Sequence, residues 1–275
     1  MAKLRDDTIK KEDIKEYLDN YSDFSFEIKV VRTLTEHNFI CQHGGTYEDP
    51  VTGKAREFDI RAVRSYPLEE KKTYRMCLSV ECKNIKENFP LVVHCTPRTD
   101  IECYQDLVWS HRNEFGSQID ANPLTLKNNL SGYSIDDPVG KSCDQVGRKG
   151  PESDLKPSDA DIFDKISQAI NSAYDFIKQS QNTSPKTIVV SSIVPVLVIP
   201  KGRLWRVCYD DSGNITEGPS LVSWVSYYIG KTWPASVSSA YGQYTHDHRL
   251  SHLEIIELDS LGELLTREID RAGYI

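Results

Sequence analysis

Long apolar runs, paired cysteines and an excess of basic residues are all missing from this sequence, and each absence removes a class of protein. The longest apolar runs, such as 193–199, are far too short to cross a bilayer. The start, MAKLRDDTIKKEDIKEYLD, is charged throughout and lacks the apolar stretch of a secretory signal. A soluble, cytoplasmic protein without a membrane partner is therefore expected. The seven cysteines (41, 77, 82, 95, 103, 143 and 208) are odd in number and contain no CxxC pair. That argues against a disulfide framework and a structural zinc site, and for reduced, mostly buried thiols. Net charge is −8, which speaks against a protein that coats nucleic acid non-specifically, although local fields outweigh net charge at a cleft. Residues 51–100 run the other way, with ten Lys/Arg against seven Asp/Glu. Apolar residues make up 39% of the chain, below the usual ~45–50%, so much loop and surface is expected. Well-patterned apolar segments nevertheless recur to the end of the chain, and 275 residues can bury a core of ordinary size.

Along the chain, residues 6–20 read as a charged, peripheral helix. A second helix, capped by Ser22 or Ser25, carries Phe24, Val30, Val31 and Leu34 on one face and stops at His37-Asn38. Residues 39–48 look extended and Asp49-Pro50-Val51-Thr52-Gly53 is a turn by composition. Strands are predicted at 55–64 and 74–83, joined by the polar stretch YPLEEKKT, and again at 90–94. Residues 116–157 hold Gly116, Gly132, Gly140, Gly147 and Gly150 with Pro123, Pro138, Pro151 and Pro157, the composition of a long loop or lid. Val139-Gly140-Lys141-Ser142 within it is no P-loop, because the required first glycine would fall on Ile135. A strong helix follows, with Ser158 and Asp161 as a capping box and Ile162, Ile166, Ala169, Ile170, Ala173 and Ile177 at helical spacing. The remainder reads as strands 187–199, 203–209, 221–229 and 252–258, then a last helix capped by Ser260 with Glu263. This order suggests one α/β domain with an antiparallel hairpin in a mixed sheet.

Three acidic residues and one lysine break the local patterns. Glu27 shares the i, i+3, i+4, i+7 stripe of Val30, Val31 and Leu34; the plain alternative is a carboxylate at the stripe's edge. In 55–64, period-2 alternation puts Phe58, Ile60 and Ala62 on one face and Asp59 and Arg61 on the other. In 74–83, Met76, Leu78, Val80 and Cys82 oppose Ser79, Glu81 and Lys83. An antiparallel register that sets Asp59 opposite Glu81 or Lys83 centres the turn inside YPLEEKKT. Two carboxylates beside an ammonium, with the Cys82 carbonyl as a further oxygen, suit a divalent cation and phosphodiester hydrolysis, Lys83 holding a water. The nearest carboxylate oxygens are then expected roughly 4–7 Å apart, given metal–oxygen bonds and mutual repulsion. The basic side chains flanking Asp59, namely Lys54, Arg56, Arg61 and Arg64, are the candidates for holding a polyanion.

These residues resemble a known family. A helix with Glu, then Gly-Gly-x-Tyr-x-Asp-Pro, then R-E-F-D-I-R-A and S-V-E-C-K-N is similar to the PD-(D/E)xK nuclease superfamily, the restriction-endonuclease-like fold. The motif maps onto Asp59 and Glu81-Cys82-Lys83, with Glu27 as the acidic residue of the first core helix. The likeness covers roughly 25–95 and the helix near 159–178; Phe58 stands where the family often has Pro. It implies a central mixed sheet flanked by helices with a C-terminal β-rich extension. The chain then divides into a peripheral helix within 1–20, a catalytic core at 21–115, an insertion loop at 116–157 and a core helix with β-rich remainder at 158–275, one elaborated domain over 1–275. It further implies a nuclease dependent on Mg²⁺ or Mn²⁺ that cuts DNA in restriction, repair or antiphage defence, with RNA and a homodimer left open. Gln168 lies where some relatives place a Gln near the phosphate, although its spacing to Tyr174 is not the familiar one; Lys165 on the same helix reads as solvated. His246, His248 and His252 read as surface histidines, and Trp205, Trp224, Tyr227, Tyr228 and Trp233 as core rather than base-stacking residues. A catalytically silent nucleic-acid-binding or assembly module on the same fold is the main alternative, and a plain interaction protein the third.

Overall fold

The structure, a computed structural model, describes residues 7–20, 22–69, 71–112, 119–149, 154–158, 160–182, 188–239 and 242–273. In chain order its elements are α1 (Lys11–Asn20), α2 (Phe24–Glu36), β1 (Ile40–Glu48), β2 (Ala55–Glu69), β3 (Lys72–Cys82), β4 (Leu91–Pro97), β5 (Tyr104–Arg112), β6 (Ile119–Lys127), β7 (Pro138–Lys149) and β8 (Asp154–Ser158). They continue with α3 (Ala160–Asn182), β9 (Ile188–Ile199), β10 (Leu204–Tyr209), β11 (Ile215–Leu221), β12 (Trp224–Ser239), β13 (Gly242–Glu257) and α4 (Leu261–Ala272). The strands form one mixed sheet in the order β1-β2-β3-β9-β13-β12-β7-β4-β10-β11, with β5 and β6 attached through β9 and β8 through β7. Hairpins β1–β2, β2–β3 and β12–β13 are antiparallel, whereas β3–β9 and β9–β13 are parallel. Parallel neighbours need a crossover, and α3 supplies it between β3 and β9.

Helices cover both faces, which is why β9 (IVVSSIVPVLVI) is buried almost end to end instead of alternating. On one face α3 presses Ile162, Ala169, Ala173 and Ile177 against Cys77, Ile193, Leu197 and Leu253. On the other, α2 and α4 bring Val30, Leu34, Leu261 and Leu264 onto Ile60, Leu78, Val196 and Ile256. The cysteines are all free, five of them buried. No described helix is long and apolar enough to cross a membrane.

Several expectations are corrected. Residues 116–157 are no long loop: β6, β7 and β8 arise there, and β7 runs between β12 and β4. Gly140 and Gly147 serve close packing, since a Cβ would meet Val93 and Tyr227 at 2.7 and 2.9 Å at the first and the Phe89 ring at the second. Gly116, Gly150 and Pro151 lie outside the described residues. The β-rich remainder is no extension either, because β13 sits in mid-sheet between β9 and β12. In α2, Phe26 is buried and Phe24 is 61% exposed, and the N-cap is Asp23, without a side-chain cap bond. Ser260 does cap α4, also without a side-chain bond. His248 and His252 are buried in β13, not on the surface; the His246 side chain lies outside the description.

Candidate functional site

The β2–β3 hairpin pairs Ile60 with Val80 and Arg61 with Ser79, and keeps that register to Pro67 and Thr73. Continued one step outward, it sets Asp59 opposite Glu81. The turn is closed by Lys71 in the left-handed region, at φ 68°. Residues of even number along β3 point into the α2–α4 side, so Cys77, Ser79 and Glu81 face α3. The Ser79 hydroxyl donates to the Ala169 carbonyl at 2.9 Å, holding helix and strand in close contact.

At the open end of this hairpin Lys165, from α3, donates to Asp59 Oδ2 at 2.6 Å and to Glu81 Oε2 at 2.9 Å. Those two oxygens are therefore no farther apart than the sum of the two distances, which lies below the upper end of the spacing expected above. Backbone amides complete the clasp: Cys82 N–H donates to Asp59 Oδ2 at 2.8 Å and Asp59 N–H to Glu81 Oε1 at 3.3 Å. The Glu81 side chain is 1% exposed, against 15% for Asp59 and 18% for Lys165. Burial, and then the charge of Asp59, push the Glu81 carboxyl up to about 8, although Lys165 pulls the other way. Burial opposes the charge of Lys165, yet Glu81 and Asp59 outweigh it and its pKa is raised.

Lys83, the lysine of the sequence motif, is elsewhere. Its ammonium lies 3.5 Å from Asp23 and 4.0 Å from Asp161, one helical turn before Lys165 on α3. Lys165 is thus not solvated, contrary to expectation, and Asp161 faces Lys83. Glu27 binds His43 at 2.8 Å on the α2 side of the sheet. It comes near enough to Cys82 to add, after burial and Asp59, to the forces that raise that buried thiol. Among the described residues Glu27 makes no hydrogen bond or ion pair with Asp59 or Glu81. The Cys82 amide is engaged by Asp59.

The basic patch divides. Lys54 and Arg56 are exposed. Arg61 is buried instead, bound to Asp175 at 2.7 Å and to the Ser172 hydroxyl, with its guanidinium 4.3 Å from the Phe58 ring centre. Arg64 donates to the His37 carbonyl at the end of α2. Neither is placed to meet a substrate. Gln168 is half-buried, its carbonyl accepting from the Tyr47 hydroxyl at 3.5 Å. Tyr174 stacks on Trp233.

Sequence reasoning missed Lys165 and His43. A usable signal for the lysine existed: Lys165 lies one turn from Ala169 on the line that runs to Ser172, small residues that let a helix approach a sheet. A groove of about 690 Å³ lies along other sides of α3, lined by Arg56, Phe163, Asn171, Tyr228 and Lys231, and includes neither Asp59 nor Glu81. Among the described residues no group of three or more His, Cys, Asp and Glu forms a metal centre. The fit to a cation is therefore that of a two-carboxylate site, which suits Mg²⁺, an ion that keeps waters and takes its remaining oxygens from substrate. No family model, curated protein or solved structure matches the chain.

Proposed function

We propose that the chain is a metal-dependent nuclease acting on DNA, with Asp59 and Glu81 as the carboxylates that hold Mg²⁺ or Mn²⁺. One observation carries this reading: a single ammonium already sits on both carboxylates at the end of the hairpin, so the pair is built around one cation. A bound divalent ion would supply Lewis-acid polarisation of a phosphoryl oxygen. Lys165, in the role first assigned to Lys83, donates to the attacking water and steadies the negative charge that develops on the phosphoryl group. Lys83 lies beside Asp23 and Asp161, at the starts of α2 and α3, and takes no part in the chemistry. Glu27, through His43, orients the edge of the site rather than the ion. Lys54 and Arg56 are the basic groups free to hold the polyanion.

The test is a cleavage screen over single-stranded and double-stranded DNA with Mg²⁺ or Mn²⁺, comparing the wild type with Asp59→Asn, Glu81→Gln and Lys165→Ala. Cutting that persists in EDTA, or that survives all three substitutions, refutes the assignment. A silent module on the same fold has one observation in its favour: Lys165 by itself satisfies two carboxylates, one of them almost wholly buried. Calorimetric titration with Mn²⁺ separates the two readings without any cleavage assay. Under the silent reading, no saturable binding occurs that depends on Asp59.

A further inference from the structure

Arg98, Arg206 and Arg267 line one cleft of about 330 Å³, together with Gly132, Tyr133, Asp137, Pro138, Trp224, Val225 and Ser226. It lies away from the carboxylate site, where the loop after β4, the start of β7, the start of β12, β10 and α4 meet.

The charges beneath it are balanced unevenly. Glu254 and Glu268 are fully buried and are answered by Arg267 and Arg271, at 2.7 Å for Glu254 with Arg267 and 2.6 Å for Glu268 with Arg271. Glu254 also accepts from Tyr133, Trp224 and Ser226. These two pairs neutralise each other and leave Arg98 and Arg206 over. The Arg98 side chain is 4% exposed, yet its nearest carboxylate is Asp137 on the rim, 61% exposed and 3.8 Å away. Among the described residues the carboxylate that Arg206 reaches is Glu217, itself well exposed. A guanidinium this deeply buried without a buried counter-ion is costly unless an anion joins it.

The guanidinium groups are also held in place in advance. Arg98 and Arg267 each stand 5.2 Å from the Tyr133 ring centre, and Arg267 stands 4.3 Å from that of Trp224. Arg98 Nε, Arg206 Nε and Arg267 Nε are buried and have no hydrogen-bond partner among the described residues. Glycine is required beside them: Gly132 has φ 70°, and a Cβ there would strike the Arg271 side chain at 2.4 Å. His252, stacked on Tyr133, is pushed down to about 3 by burial and, against Glu254, by Arg98, Arg267 and Arg271, as an electropositive enclosure would do.

We propose that this cleft binds a phosphate monoester, with its dianion on Arg98 and Arg206, the two charges left over, and its carbon body against Trp224 and Val225. Planar guanidinium groups match phosphate oxygens in pairs, and the volume exceeds what a bare phosphate fills, leaving an apolar wall for the rest of the molecule. Asp137 is the one carboxylate on the lining, and it opposes the ligand from the solvent side.

Calorimetric titration of the whole chain in EDTA tests this independently of the carboxylate site, with thymidine 5′-monophosphate, ribose 5-phosphate, inorganic phosphate and thymidine as probes. Both monoesters should bind saturably at one site, inorganic phosphate more weakly, and thymidine not at all. Arg206→Gln, a partly exposed position, and Arg98→Gln should each weaken monoester binding about ten-fold or more, the loss of a charged hydrogen bond. Circular dichroism reports whether each variant is folded, and Arg206→Gln stands alone should Arg98→Gln fail to fold. Thymidine binding as well as its monophosphate, inorganic phosphate binding as tightly as the monoesters, absence of saturable binding, or full affinity in folded Arg206→Gln would each overturn the proposal.

Discussion

Replacing Lys165 by alanine leaves two carboxylates face to face, one of them 1% exposed, with no protein cation between them. Two opposite effects follow if the carboxylates are a metal site. Turnover should fall by roughly 10²-fold or more, because the group that positions water and opposes developing charge is gone. Mn²⁺ affinity should rise, because the ammonium no longer competes for the same oxygens; titration calorimetry alongside a cleavage assay checks both. Lys83→Ala should change neither by more than a few-fold, since Lys83 touches Asp23 and Asp161 only at 3.5 and 4.0 Å. Glu81 adds a pH signature. Its folded pKa of about 8 lies above the ordinary 4.5. Its contribution to stability is therefore fully present below the ordinary value and lost as pH rises through 8. In chelator, the melting midpoint of the wild type should decline between those two values relative to that of Glu81→Gln. Mn²⁺ affinity should climb over the same interval, because the ion binds the deprotonated carboxylate.

Elements meet at this site through Arg61, which ties β2 to α3 by way of Ser172 and Asp175. Arg61→Met should cost roughly 1–3 kcal/mol in denaturant unfolding, because Asp175 and Ser172 lose a buried, charged hydrogen-bond partner. Arg61→Met with Asp175→Leu should recover part of that loss. The role expected of Arg61 in substrate binding came from its nearness in sequence to Asp59; the strand alternation that aims it at α3 was visible, but the helix it would meet was not. The same contrast runs through the fold. The hairpin register was legible because a polar turn and two alternating strands lie next to each other in the chain. Lys165 was not, because its partners are 106 and 84 residues away and only the crossover of α3 brings them together. The strand β7 was mistaken for loop because Gly140 and Gly147 look like turn residues, whereas Val93, Tyr227 and Phe89 leave no room for a Cβ. His248 and His252 were misplaced because a histidine in a polar-looking run gives no hint that β13 is a central strand.

For the molecule as a whole, those histidines make the sheet sensitive to acid. Burial above all holds His248 down at about 4 and His252 at about 3, below the ordinary 6.5. Their contribution to stability is present above the ordinary value and lost as pH falls toward the folded ones. Glu254, held near 2 by Arg267 against the opposing effect of burial, adds to the loss at still lower pH. Melting midpoints taken from neutral to pH 4 should fall, and His252→Phe, which preserves the stack on Tyr133, should fall less. The place of β13 has a further consequence, in time rather than in energy. It joins a block of β1, β2, β3 and β9 to a block of β12, β7, β4, β10 and β11, although it is the last strand of the described chain. A ribosome making this protein releases the other described strands before the one that joins the two blocks. The emerging chain must wait with two unfinished sheet edges open, the end of β9 beyond its pairing with β5 on one block and β12 on the other, and such edges recruit other chains. A chain truncated ahead of Gly242 would keep both edges open for good and should aggregate rather than accumulate as a folded fragment, which size-exclusion chromatography of the expressed fragment would show.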